Sequence, residues 1–551
     1  MTGGDTQTLM NDSGGPMRVV IVESQQQSQN QIEMQDQAAI KVPATAAPTA
    51  NPFQNKHERG KALRQVVAAF VANLGTINTG LMFGFSAVVI PQLKRPDSLI
   101  PINCSQESWI AALSSASTPV GCILSGILMD KIGRKKALLL TEIPLIFGWI
   151  LIAMATDVPM IYAGRLLMGF GSGMVGAPAR VYTSEVTQPH LRGMLSALAA
   201  VFISFGVLLQ YTIGKFASWK TLSVISGFIP TIALISMYMM PETPTFYVAQ
   251  SKPEKATKSL SKLRCSTYNI QREVDHLQNF AQKSQLDKKT SFRETIKAIL
   301  SPTALKPFII LVVYFMMYQF SGVNTITFYA VEIFQMAVPS WDANNCAIFI
   351  GIVRVLFTVV GCIAMRRYGR RPLTFVSSIG CGISMICLGI YLQYKFTMDK
   401  EGLPTQYQWF PVACIFTFTI CSCIGYLIVP WVMIGELYPQ KVRGIIGGMT
   451  TFAAHSFVFI VVKTYPFLMS TIEQHGTFIL YGVISLVGTI FYYFFLPETR
   501  GKTLQEIEDY FSGRSTTLKT KKQTASNFNI NINTAANDQT ITVEKEKLLL
   551  A

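Results

Sequence analysis

The sequence predicts an all-α polytopic membrane protein, with twelve transmembrane helices in two six-helix pseudo-repeats. Three observations carry that expectation. Half of the 551 residues are apolar and only 14% are charged, against roughly a quarter charged in a soluble protein. Twelve apolar stretches of about 20 residues run along the chain, each long enough to span a bilayer. Short motifs of the first half return in the second, as expected of an internal duplication.

The first six stretches lie near 66–90, 109–129, 137–156, 159–182, 194–214 and 219–240. The other six lie near 306–333, 345–365, 373–394, 409–435, 444–470 and 477–496. Gly and Pro interrupt several of them, which membrane helices tolerate. The expected domains are a disordered N-terminal tail 1–62, a bundle 63–240, a polar, lysine-rich linker 241–305, a second bundle 306–496, and a C-terminal segment and tail 497–551. The N-terminal tail is rich in Gln, Ala, Pro and Thr and lacks the basic-then-apolar pattern of a cleaved signal.

The net charge of +16 is not spread as a face for nucleic acid. Lys131, Arg134, Lys135 and Lys136 follow the second stretch; Arg366, Arg367, Arg370 and Arg371 follow the eighth; Lys441 and Arg443 follow the tenth. By the positive-inside rule these loops are cytoplasmic, and so are both termini. A plasma-membrane protein embedded in lipid is expected. Most of the ten cysteines lie inside apolar stretches, too few being left for a disulfide framework. There is no phosphate loop, metal-spaced His/Cys cluster or nucleophile motif, so neither an enzyme nor a cofactor or metal is expected. Asn103-Cys104-Ser105 fits the glycosylation pattern and falls in the first outer loop.

The repeat is specific. Pro241-Glu242-Thr243 returns as Pro497-Glu498-Thr499, each after the sixth stretch of its half. Glu185 precedes Arg192-Gly193, and Glu436 precedes Arg443-Gly444, by the same seven residues. DKIGRKK, beginning at Asp130, matches RRYGRR at 366–371. Parallel six-helix repeats are the layout of alternating-access carriers, with substrate held between the halves. Glu185, Arg192, Glu436, Arg443, Arg134, Arg370, Arg371 and Asp130 gather at the cytoplasmic face. Arg–carboxylate bonds set between the halves would hold that side closed and break when the halves rock. One exposed pair contributes only about 0–1 kcal/mol, so a network is needed.

GILMDKIGRKK, LRGML, FSGVN and PETRGKTLQEI together resemble the sugar porters of the major facilitator superfamily, in particular the facilitative glucose-transporter group. Within that group, ARVYTSEVTQPHLRGML at 179–195 is similar to the insect facilitated trehalose transporters. The resemblance covers about 60–511 and implies a small neutral sugar as partner. It implies Gln319 and Asn324 as hydroxyl partners, Trp431 as a sugar-stacking ring, and Phe328 with Tyr329 as the outer gate. Amides suit sugars because each offers a donor and an acceptor. On a regular helix Gln319 would lie well around from Asn324; Gly322 between them predicts a broken helix that turns both into one cavity.

Several positions depart from the family. Tyr318 replaces the first of two glutamines, Ala200 a glutamine, Cys423 a glutamate, and Ala454-His455 an Asn-Trp pair. Arg366 and Thr245 depart in the loop motifs, the first in place of an acid. Lost hydroxyl partners weaken a hexose as sole substrate by about 1–3 kcal/mol each and leave room for a second ring. Arg354 replaces an asparagine at the edge of the sugar site. It is expected either to pair with Glu332 as a structural element, or to stand unpaired in the cavity and favour a disaccharide or an anion. Proton-linked porters carry an acid just after FGY; here Phe83-Gly84-Phe85-Ser86 has none, so uniport is expected. Glu142 is expected to pair near the basic loop. Trehalose is the first expectation and hexose the second. A proton-coupled symporter, an organic-anion carrier and a non-transporting sugar sensor are the alternatives.

Overall fold

The computed structural model describes residues 62–514, apart from 189–190, 192–193, 196, 265–269, 288–291, 405, 440–441 and 503. Among them there is helix and no strand. The first bundle is α1 (Leu63–Leu93), α2 (Cys104–Ile132), α3 (Arg134–Ala153), α4 (Val158–Val186), α5 (Leu198–Phe216) and α6 (Trp219–Met239). The linker forms four short helices, α7 (Pro244–Ala249), α8 (Pro253–Leu263), α9 (Ile270–Asp287) and α10 (Phe292–Ile299). The seventh stretch is split into α11 (Pro302–Phe320), α12 (Val323–Phe328) and α13 (Ala330–Ala337). Then come α14 (Ala343–Tyr368), α15 (Arg371–Lys400), the pair α16 (Trp409–Ile424) and α17 (Val429–Leu437), α18 (Arg443–Thr471), α19 (Glu473–Phe495) and α20 (Leu504–Phe511).

These helices form because a backbone crossing lipid must satisfy its own hydrogen bonds. Eleven described spans are long and apolar enough to cross a membrane; α4 is not among them. It has 29 residues, enough for a bilayer, but Arg165, Arg180, Glu185 and its glycines lower its hydropathy. Those polar residues are spared lipid because α4 packs against α1, α2 and α3 and turns Arg180 toward Trp431 of the other half. Many apolar side chains, such as Phe147, Ile235, Ile363 and Tyr493, stay exposed on the bundle exterior, where lipid rather than water is their solvent.

The halves meet along two seams, α2 against α18 and α5 against α14. Between the seams, α12 approaches α1 and α18. One end of the bundle carries the basic loops before α3 and α15; the other carries the loop from α1 to α2.

Candidate functional site

The site is built on the split seventh span. α11 stops at Phe320, and Gly322 takes a left-handed φ of +88°, which costs an L side chain about 1–2 kcal/mol. A Cβ there would also lie 2.7 Å from Tyr481 Cδ2. The break turns the chain so that Asn324 Nδ2 donates to Gln319 Oε1 at 2.5 Å. Both amides are buried, with Tyr318 beside them.

Arg354 on α14 faces this segment. Its Nη1 donates to Thr327 Oγ1 at 2.8 Å, its Nε has no hydrogen-bond partner, and it is 5% exposed. The hydroxyls of Tyr211 and Tyr318 and the Cys423 thiol lie within its electrostatic reach. It does not pair with Glu332, which is engaged by Lys94. Trp431, on α17 just after the break at 425–428, is partly exposed. Its ring meets Phe315 at 4.9 Å and His455 at 5.6 Å, and the Arg180 guanidinium lies 5.7 Å over it.

The end away from the basic loops is closed. Lys94 Nζ lies 2.8 Å from Glu107 and 2.7 Å from Glu332, bridging the halves. Lys94 stands just past α1. Partial burial works against its charge, but both carboxylates outweigh that and hold it above the ordinary lysine value. Lys215 reaches Asp342 at 3.4 Å, and Lys463 donates to Ser108 at 2.6 Å. Beneath them Phe328 meets Phe83 at 5.2 Å and Tyr211 donates to the Thr327 carbonyl at 2.7 Å. Tyr329 instead packs within its own half, on Tyr465 at 4.6 Å.

The basic end differs from expectation. Among the described residues its ion pairs stay within each half: Arg134 pairs with Glu185 at 3.1 Å in the first, and Arg370 with Glu436 at 2.5 Å in the second. Arg443 donates to the Tyr438 carbonyl, and Arg371 donates to the Tyr493 carbonyl and lies over Phe375 and Tyr493. Asp130 is exposed and makes no ion pair among the described residues, and Arg192 lies outside them. The cause is proximity within each repeat: α3 begins beside the end of α4, so its first arginine meets the glutamate of its own half.

The repeated Pro-Glu-Thr motif has a role that spacing alone did not reveal. Glu242 accepts from the backbone N–H groups of Arg134 and Lys135 at 3.0–3.1 Å. Glu498 accepts from those of Arg370 and Arg371 at 2.9–3.1 Å. Each carboxylate caps the positive N-terminus of the third helix of its half. The approach is so close that a Cβ on Gly133 or Gly369, both at positive φ, would lie 2.4 or 2.8 Å from the carboxylate. Thr499 then donates to Glu436 at 2.6 Å, tying cap to ion pair.

A buried arginine in α4 was also not foreseen. Arg165 is 0% exposed and donates to the carbonyls of Ile110 (2.8 Å), Met82 (2.9 Å) and Ala111 (3.1 Å) and to Ser86 Oγ (2.7 Å). Ser86 is the residue after Phe83-Gly84-Phe85, so the arginine meets a hydroxyl there rather than an acid. Glu142 does not pair near the basic loop. It sits two turns into α3, buried against Gly75, and its Oε2 has no partner; Arg134 turns to Glu185 instead.

Two six-helix halves around a discontinuous helix with paired amides define a membrane carrier of the major facilitator kind. The chain belongs to the sugar (and other) transporter family, whose profile matches residues 42–511. It is 33% identical to the facilitated trehalose transporter Tret1 of Bombyx mori, over 83% of this chain and 88% of that one. With Tret1 of Apis mellifera ligustica the identity is 32%, over 82% and 88%. The fold is similar to that of the proton:xylose symporter XylE bound to 6-bromo-6-deoxy-D-glucose, with TM-score 0.64 and 22% identity over 81% of this chain and 99% of that one. A partially occluded, inward-open XylE from E. coli also gives 0.64, at 21% identity over 80% and 100%. The protein is a multi-pass membrane transporter, not an enzyme.

Proposed function

We propose that this protein is a facilitative uniporter of a neutral sugar, trehalose first and hexose second, working by alternating access. The observation that carries uniport is Arg165 bound to Ser86: this contact offers no group that changes charge near neutral pH. Gln319, Asn324, Tyr318, Trp431 and Arg354 are the substrate contacts in this reading. Two amides, an arginine fork and a ring suit a hydroxyl-rich solute. Trehalose is favoured by the likeness to Tret1 proteins and by Arg354, whose free Nε can serve a second ring.

In this reading the basic end is cytoplasmic and the protein lies in the plasma membrane with both termini inside. The halves are then clamped outside by Lys94, Lys215 and Lys463, while the inner pairs are satisfied within each half, which leaves the inner side free to open. Phe328 is the outer gate; Tyr329 supports it. Asn103 carries a glycan: its side chain caps α2 through Oδ1, leaving Nδ2 for the sugar. Ser105→Ala removes the sequon but keeps the cap, and a mass that falls only by the lost hydroxyl oxygen would dismiss the glycan.

A proton-coupled reading has buried Glu142 in its favour. That carboxylate lies against Gly75 and Val175 inside the first bundle, rather than beside α12. The deciding experiment is uptake of labelled trehalose, glucose and xylose by proteoliposomes of the purified chain, each chased by unlabelled sugar. Trehalose uptake above empty vesicles, competed by trehalose more than by xylose, is expected. Uptake of none of the three would end the transport reading in favour of a sensor.

A further inference from the structure

We propose that Arg180 is a second cationic contact for the solute and that, with Arg354, it lets this passage carry sugars bearing a carboxylate, of the uronate class, besides neutral ones. The inference rests on the transport reading above and adds a solute class to it. Arg180 lies six residues before the end of α4, about 9 Å inside the bundle. It is exposed, yet it stands between the halves, its guanidinium over the Trp431 ring of the other half at 5.7 Å. Its Nε donates only to the Gly176 carbonyl one turn back, at 3.0 Å. Neither Arg180 nor Arg354 pairs with a carboxylate among the described residues.

A run of rings joins the two arginines. Trp431 meets Phe315, Phe315 meets Tyr318 at 6.4 Å, and Tyr318 lies within electrostatic reach of Arg354. One wall of the passage therefore offers aromatic faces with an uncompensated guanidinium at each end. A neutral sugar uses arginine only as a hydrogen-bond donor. A carboxylate gains charge-assisted, bidentate bonds, which are roughly twice as strong, and it neutralises charge that is costly to hold at membrane depth. Chemically, a pyranose with a carboxylate on one carbon matches a stacking ring flanked by a guanidinium.

Glucuronate and trehalose uptake by proteoliposomes under an imposed potential tests this directly. Carrying a monoanion moves charge, so an inside-positive potential of about 60 mV raises the final internal glucuronate level about tenfold, while trehalose settles at equal concentrations. Arg180→Gln is expected to lower the ratio of glucuronate to trehalose uptake at least about tenfold, and Arg180→Lys to restore most of it. Trehalose uptake without glucuronate uptake overturns this proposal alone. Glucuronate levels that ignore the potential, or an unchanged ratio in Arg180→Gln, also overturn it. Uptake of neither solute fails the transport reading itself and takes this proposal with it. If Arg180→Gln does not fold, the potential dependence of the unmodified protein decides.

Discussion

Lys94→Met isolates the clamp at the closed end. The ammonium is shared by Glu107 at 2.8 Å and Glu332 at 2.7 Å, the second contact joining the halves. Exposed pairs contribute about 0–1 kcal/mol and breaking a fully buried one costs about 3–5. Here the side chains are 37% exposed for Lys94, 4% for Glu107 and 22% for Glu332, between those limits. A loss of about 2 kcal/mol follows, which shifts the closed-to-open equilibrium about 30-fold. Methionine keeps most of the stem's packing, so the effect reads the charge. Hydrogen exchange of the α12 and α13 amides is the assay, because those helices lie under the clamp. Their exchange should quicken about 30-fold, and Glu332→Gln in the same background should add little, since the partner is already lost. Exchange within about twofold of the parent protein would mean that Lys94 holds nothing closed.

Three further outcomes are expected. Asn324→Ala should nearly abolish uptake at equal surface abundance, because it removes the donor to Gln319 and a solute amide together; unchanged uptake would remove it from the site. Arg354→Asn should lower trehalose uptake relative to glucose by about tenfold, as one lost charged hydrogen bond of about 1.5 kcal/mol implies; an unaltered ratio would show that Arg354 does not select. Glu498→Gln should destabilise the protein by about 1–2 kcal/mol through the weakened cap on α15, read as a lower melting temperature in detergent, and a parental melting temperature would refute the capping role.

Much of the fold was legible because bilayer thickness sets the length of an apolar run and the repeat fixes the six-and-six division. The break at Gly322 was legible because polar residues flank a glycine inside a run that should be smooth. Arg354 stood out as a charge in an apolar stretch, but the loss of Glu332 to another cation did not: Lys94, which takes Glu332, is 238 residues away from it in sequence. The partners in the ion pairs of the basic end are not legible, because sequence names which charges share a face but not which arginine lies nearest each glutamate. Arg165 passed unnoticed because its partners are carbonyls and a serine, which leave no compositional trace. Arg180 left no trace either, since the ring it lies over, Trp431, is 251 residues further along the chain.

The central claim, sugar passage without a coupled proton, is tested most directly by the endpoint of trehalose uptake under a pH gradient. Proteoliposomes with an acidic exterior and a neutral interior are loaded with tracer outside and followed to the plateau. Uniport predicts that internal and external trehalose become equal and that the plateau is the same when the gradient is collapsed. Accumulation above the external level, lost on collapsing the gradient, would contradict it.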